Sequence, residues 1–589
     1  MTNHFNTRET PQSKPIPGRE ADMKENSAGG FSFKVDCWTR LQRFLILGSE
    51  GGSYYASEQK LTEQNAKCVL ECLQKDGKRT VDLIVDVSDN GRAVKNTPAL
   101  FALAMACKLA GDDKTKAYAY KAVSKVARIG THLFQFTEAI KAFGGFSSGF
   151  QRAVGRWYLD RNPQSLALQV VKYQAREGWS HADLLRLAKP KVDAASAHGV
   201  ALGWATGKVV YKNGEWIRME SYLQEPGNPK SMKWREGAAI ELPEEIQLLE
   251  AFEQAKSIGL DGNPTKDRTG LIVNLISDYR LPREAIPTQY LNEVAVWDAL
   301  LDNGGHGMPM TAMIRNLPKM TSLGLLTQTS AASKAIVARL KDEDALRKAR
   351  VHPLSILVAM RTYGSGHGVR GSLTWSPVRK IVDGLDAAFY KAFKTVDPTG
   401  KRWLLALDVS GSMSAGISGL PGINCREAST AMAMVTAAVE EDTHIVGFTS
   451  GGSNHFSYAG TRSMWGGDGV SELDLSPRRR LDDNVNYVSR LGFGGTDCAL
   501  PMIYALERGI EVDVFAVYTD SETWAGQIQP VQALQRYRKA TGIPAKLIVL
   551  GMASNGFSIA DPKDAGMLDL VGMDTSAPAI MSEFALGNL

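Results

Sequence analysis

The chain has 589 residues, 44% hydrophobic and 22% charged, with a formal net charge of +5, the composition of a globular protein with room for two or more domains. No run approaches the roughly 18 apolar residues of a membrane helix, and the opening MTNHFNTRET PQSKPIPGRE lacks the apolar core of a secretory leader. Six cysteines (Cys37, Cys68, Cys72, Cys107, Cys425, Cys498) in so long a chain do not form a disulfide framework, so no membrane contact is expected and the protein is placed in a reducing cytoplasm.

Divided, the charge says more. Residues 401–589 carry 14 Lys+Arg against 21 Asp+Glu, and residues 1–400 carry 54 against 42, so a net of −7 follows a net of +12. The asymmetry suggests two modules, the first suited to a polyanion and the second to a cation.

In chain order, residues 1–30 are polar, contain Pro and Gly, and show no apolar period, which predicts a disordered tail. Residues 31–400 then read as helices. LTEQNAKCVLECLQK, ALFALAMACKLA, KAYAYKAVSKVARI and QSLALQVVKYQAREG repeat apolar residues every three or four positions, separated by AGDD, IGTH, RNPQ and EGWS. Many helices of similar length with short links predict stacked antiparallel pairs, as in a solenoid. One insertion, at 205–240, breaks the period: KVVYKNGEWIRME alternates on both sides of Asn213-Gly214, a hairpin signal.

After Pro398-Thr399-Gly400 the period changes again. RWLLALDVS, THIVGFT, VDVFAVYTD and AKLIVLGM alternate with helical stretches, which predicts a parallel, Rossmann-like sheet covered on both faces over residues 401–589. Such folds bind ligands at the carboxyl ends of the strands. There the sequence offers Asp408, Ser410 and Ser412 on one loop, Thr496 after Gly494-Gly495 on another, and Asp520 at the end of a third strand. Oxygen donors without sulfur or imidazole suit Mg²⁺ first, with Mn²⁺ and Ca²⁺ as alternatives. The competing reading is that Ser and Asp after a strand merely cap the next helix.

This constellation resembles the metal-ion-dependent adhesion site of von Willebrand factor A domains. The resemblance implies Ser410, Ser412 and Thr496 as direct ligands, with Asp408 and Asp520 direct or through water. Upstream, Arg43-Phe44-Leu45 running into GSEGGSYY, then RIGTHLF, KYQAREGWSHADLLRL, IRNLPKMTSLGLL, YGSGHGVRG and LDAAFYKAFKTVDPTGKR are similar to the Ro (SS-A) autoantigen family, whose helical part is the TROVE module. That resemblance implies a ring of HEAT-like helical repeats closed by the A domain. It further implies that misfolded non-coding RNA inserts single-stranded 3′ ends in the central hole and that small Y RNAs bind the basic outer surface.

Within that frame, Lys172, Arg176, His181 and Arg186 are candidate RNA contacts, the resemblance assigning the GWSH histidine, His181, to Y RNA binding. Weaker candidates are Arg128 and His132 in RIGTH, Arg315 and Lys319 in RNLPK, and Arg370. The Gly366–Gly371 string formally matches a dinucleotide loop, but it follows a helix and is read as a turn. Cations in a groove release counterions from phosphates, and aromatic or imidazole rings stack on unpaired bases. Two insertions, 205–240 and the Gly/Ser-rich 451–483 with Arg478-Arg479-Arg480, leave the RNA partner open.

The expected function is therefore non-catalytic RNA binding in a small ribonucleoprotein, serving RNA quality control, processing or stress survival. A nuclease or other protein is the expected partner of the A domain, and no small-molecule substrate is expected. The alternative is a metal-dependent protein-adhesion module on a helical scaffold. A phosphodiester hydrolase is disfavoured, since the oxygen cluster lacks a nearby His base and a second carboxylate cage.

Overall fold

The computed structural model describes residues 9–48, 66–224, 232–368, 371–393, 396–417, 422–450, 469–492 and 494–589. The punctuation seen in the sequence becomes helix caps. Asp112 of AGDD accepts from Thr115 N and opens Asp113–Val126, and Asn162 of RNPQ accepts from Ser165 N ahead of a Pro at the first turn of Pro163–Lys172. Ser180 of EGWS and Asp183 form a reciprocal capping box on His181–Ala188.

The helices stack in alternate layers. Gly77–Asp89 packs on Asp113–Val126, which packs on Ser148–Leu159, which packs on His181–Ala188, while Thr97–Leu109 packs on Gly130–Ala142 in the other layer. At the far end, Ala331–Leu340 and Pro353–Gly364 both pack on Arg379–Lys391. All six cysteines are free and buried.

The second domain is a six-stranded sheet in the order Val470–Glu472, Thr443–Phe448, Trp403–Asp408, Val514–Thr519, Lys546–Gly551, Met567–Val571. All neighbours are parallel except the short edge strand Val470–Glu472. Trp403–Asp408 and Val514–Thr519 are buried along their whole length, as strands covered on both faces must be.

Both ends of the helical array fasten to this domain. Near the N-terminal end, the fully buried Arg43 guanidinium donates to both Asp569 oxygens at 2.8 Å, to Asn555 Oδ1 at 2.6 Å and to Phe557 O at 2.8 Å. Arg92 pairs with Asp574. From the other end, His352 Nε2 donates to Met573 O at 3.1 Å, and Arg361 meets Glu427 at 2.9 Å. Arg350 reaches Asp89 at 2.8 Å, joining the two ends of the array to each other. The array is thus a closed ring, with the sheet domain at the junction.

Two expectations change. Of the expected tail, residues 1–8 lie outside the described residues, and residues 9–30 are not free but lie on the sheet domain. Strands Met23–Glu25 and Phe31–Lys34 pair with each other, and the latter pairs with Phe557–Ser558. Gln12 is fully buried, and Arg19 makes a bidentate pair with Asp561 at 2.7 Å. Polar composition concealed this because the contacts are hydrogen bonds and ion pairs rather than an apolar stripe. The second change is at 205–240, which is a three-stranded sheet rather than a hairpin alone: Val209–Lys212, Glu215–Leu223 and Met232–Ile240. Asn213 and Gly214 take the positive φ values (51° and 87°) that the first turn requires.

Candidate metal centre and nucleic-acid interface

Three loops meet at the carboxyl edge of the sheet. Gly411 N donates to Gly494 O at 3.2 Å, Thr449 Oγ1 to Gly495 O at 2.8 Å, and Arg426 to Leu491 O, Val409 O and Ser410 O. Asp408, Ser410, Ser412, Thr496 and Asp520 are each no more than 3% exposed. The carboxylate of Asp408 is held on both sides, by Ser410 N at 2.9 Å and Thr519 Oγ1 at 2.6 Å. Ser410 and Ser412 hydroxyl oxygens lie 3.1 Å apart. Asp520 Oδ1 accepts from Glu522 N at 3.0 Å, whereas its Oδ2 is buried with no hydrogen-bond partner among the described residues.

Burial pushes Asp520 up to about 8, reinforced by the charges of Asp408 and Glu522, and burial raises Asp408 as well. Unpaired carboxylate oxygens in a dry site are costly unless a cation joins them. The residues present fit a hard divalent ion: two hydroxyls, a third on Thr496, and two carboxylates. No three His, Cys, Asp or Glu side chains converge on a common point among the described residues; a metal here would be held as much by hydroxyls as by carboxylates.

No sequence motif marks what braces the Asp520 loop. Gln12 Nε2 donates to Asp497 Oδ1 at 2.7 Å and to Ile528 O at 2.9 Å, and its Oε1 accepts from Thr523 Oγ1. Asn26 Nδ2 donates to Thr523 O at 2.8 Å, and Ser32 Oγ to Ser521 O at 3.1 Å. A Cβ on Gly30 would lie 1.8 Å from Thr523 O, so only glycine lets the segment lie this close.

On the helical module the sequence candidates divide. His181 does not face solvent: it is 2% exposed, 2.8 Å from Tyr158 Oη through Nδ1 and 3.3 Å from Gln169 O through Nε2, with its ring edge-on to Phe134. Burial pulls its pKa down to about 4, so it is neutral at ordinary pH. The His181 ring therefore lies inside the helical packing and not on the surface of this structure. His181, Leu184 and Leu185 are the buried residues of their helix, spaced on one face. Arg128 is turned inward too, donating to Ser88 O and Oγ at 2.8 and 2.7 Å. His132, 3.3 Å from Asn96 Nδ2, is held down at about 4 by burial and then by Arg128. Both serve packing.

Others gather on the surface. Lys172 Nζ lies 5.6 Å from the centre of the Tyr173 ring. Burial raises Tyr173 to about 12, Glu284 adds to the rise, and Arg176 and Arg315 pull it partly back. Arg176 and Arg315 are exposed, so cations far apart in sequence, together with Glu284, surround one aromatic ring. Lys319 is tied to Asn292 Oδ1 at 2.9 Å, and Arg186 pairs loosely with Asp183 at 3.5 Å. Arg370 lies outside the described residues, as do residues 451–468 of the second insertion; Arg479 and Arg480 of that insertion are paired with Asp474 and Asp482. A cleft of about 430 Å³ opens where the ends of the array meet, between Val94 and the segment carrying Arg315, Arg350 and Thr362. No helix among the described residues is long and apolar enough to cross a membrane.

Comparison with known proteins agrees with this architecture. The TROVE domain family matches residues 24–261 and 278–362, and the Ro60 vWA domain family matches residues 402–585. The RNA-binding protein RO60 of Caenorhabditis elegans is 37% identical over 98% of this chain and 92% of its own length. The protein of the same name from Deinococcus radiodurans is 36% identical, over 98% of each chain. The crystal structure of the Deinococcus radiodurans RO (RSR) protein superposes with a TM-score of 0.63 at 36% identity, covering 94% of this chain and 100% of that one. With both modules matched in order along nearly its whole length, the chain belongs to the Ro60 family of TROVE and vWA domain proteins.

Proposed function

We propose that this protein is a non-catalytic RNA-binding scaffold that works in the cytoplasm. Its relatives are named RNA-binding proteins, and the observation that carries the reading is the pair of exposed arginines, Arg176 and Arg315, with the half-buried Lys172 around Tyr173. Small structured RNAs of the Y type dock there, exchanging condensed counterions for fixed cations. Unpaired 3′ ends of misfolded RNA enter at the cleft between the array's ends, which is lined by the exposed Arg315 and by Arg350, itself paired with Asp89. No step of this scheme asks for bond cleavage.

The sheet domain supplies a separate contact. Asp408, Ser410, Ser412, Thr496 and Asp520 hold a divalent ion, Mg²⁺ by preference, and the orphaned Asp520 Oδ2 supports this. When bound, such an ion offers an electrophilic face to an acidic side chain of a partner protein, a nuclease being the partner that RNA processing would call for. Trp524, 42% exposed and packed against the Gly495 loop, borders that face. Asp408→Ala tests the division of labour. It should abolish Mg²⁺ binding by titration calorimetry and leave RNA affinity within twofold in a gel shift. Loss of both with the fold intact would mean that the two modules share one site.

A further inference from the structure

The inserted sheet has a buried root and a bare tip. Val209 and Trp216 are 1% and 5% exposed at its base, whereas Leu223, Met232 and Trp234 are 41%, 52% and 48% exposed. Register sets Leu223 opposite Met232 and Ser221 opposite Trp234, so these residues share one face. Large apolar side chains clustered in water mark a surface that another molecule covers.

Trp234 lines a groove of about 850 Å³ between the sheet and the helical body, and Arg186, Lys189, Lys208 and Arg218 line it too, with no acidic side chain among its walls. Among the described residues Arg186 has only the loose 3.5 Å pair with Asp183, and Arg218 donates to the backbone at Ala194 O, 2.8 Å away. Both cations therefore keep most of their field. Lys189, in the left-handed conformation that ends His181–Ala188, is exposed at the groove. That eight-residue helix, roughly 12 Å long, runs from the Lys172–Arg176 surface to this groove.

We propose that the groove is a second RNA subsite, which takes the unpaired nucleotides of an RNA already held at the Tyr173 patch. A base stacks on the Trp234 indole, and the flanking phosphates lie on the four cations. An unpaired nucleotide is the ligand that presents an anion and a π face together; an acidic peptide would meet the cations and leave the indole uncovered. The assignment rests on the RNA-binding reading above and adds to it the preference for single strands next to structured RNA.

The test is fluorescence anisotropy of the full chain with a labelled single-stranded oligouridylate and with the same strand annealed to its complement. Trp234→Ala should weaken single-strand binding about tenfold and barely change the duplex, and Trp234→Phe should keep most of the affinity. Lys208→Ala should lower the slope of log affinity against log salt by about one, and it carries the test if circular dichroism finds Trp234→Ala misfolded. Unchanged single-strand affinity in Trp234→Ala and Lys208→Ala, with a loss in Arg176→Ala, would overturn the groove and spare the RNA-binding reading. Failure of the unmodified chain to bind either RNA would overturn that reading itself. Loss of a protein partner with RNA affinity intact would make the groove a protein-docking surface.

Discussion

The two modules carry their chemistry in different ways. At the edge of the sheet, Asp408 and Asp520 come close because parallel strands end on the same side, and the Gly494–Thr496 loop, which lies between two helices, is pinned there by the bonds Gly411 N to Gly494 O and Thr449 Oγ1 to Gly495 O. On the helical array no such rule operates. Which side of a helix meets solvent is decided by its neighbours, and residues as close in sequence as Arg176 and His181 end on opposite sides of the packing boundary. Local motifs are therefore reliable for strand-end sites and weak for repeat surfaces.

The sharpest way to break this contrast is to part the modules. Arg43 is a buried charge whose two terminal nitrogens both bond to the sheet domain, so Arg43→Ala should cost about 3–5 kcal/mol in urea denaturation, since it leaves Asp569 buried without its partner. A loss below 1 kcal/mol would mean that the closure is not held there.

A smaller effect comes from acid. Burial holds His352 at about 4, against about 6.5 in an unfolded chain. The folded protein refuses a proton that the unfolded chain accepts, so this stabilisation is complete above 6.5 and is lost as pH falls from 6.5 towards 4, up to about 3 kcal/mol. His352→Gln should flatten that part of the melting-temperature profile; a profile unchanged by the substitution would remove His352 from the closure.

The smallest effect concerns the brace. Gln12→Ala removes the hydrogen bonds to Asp497 and Ile528 and should weaken Mg²⁺ binding severalfold, about 1 kcal/mol, with RNA affinity unchanged. Metal affinity equal to that of the unmodified chain would confine the N-terminal segment to a covering role.

Much of the architecture was legible. Apolar periods of three to four and then short apolar runs marked the two modules, and Asn213-Gly214 marked the insertion's first turn. The third strand of that insertion was hidden because MKWREGAAI has no buried residue to alternate with exposed ones. The N-terminal brace was hidden because Gln12, Asn26 and Arg19 bind through side-chain polar atoms, which leave no period. The burial of His181 had a signal in the sequence, since it shares the apolar spacing of Leu184 and Leu185. The Tyr173 patch was half legible: Lys172 and Arg176 sit beside it in sequence, but Arg315 arrives only through the fold.

The central claim is that exposed cations at the Tyr173 patch, and not the buried imidazole, hold RNA. Gel-shift titration of a small structured RNA across a salt series, run on Arg176→Ala/Arg315→Ala and on His181→Phe at a temperature where circular dichroism shows both folded, tests it most directly. The cation variant should bind at least tenfold more weakly and lose about two from the salt slope, with His181→Phe close to the unmodified chain. Equal binding by the cation variant and the unmodified chain, or an affinity flat across the series, would contradict the account.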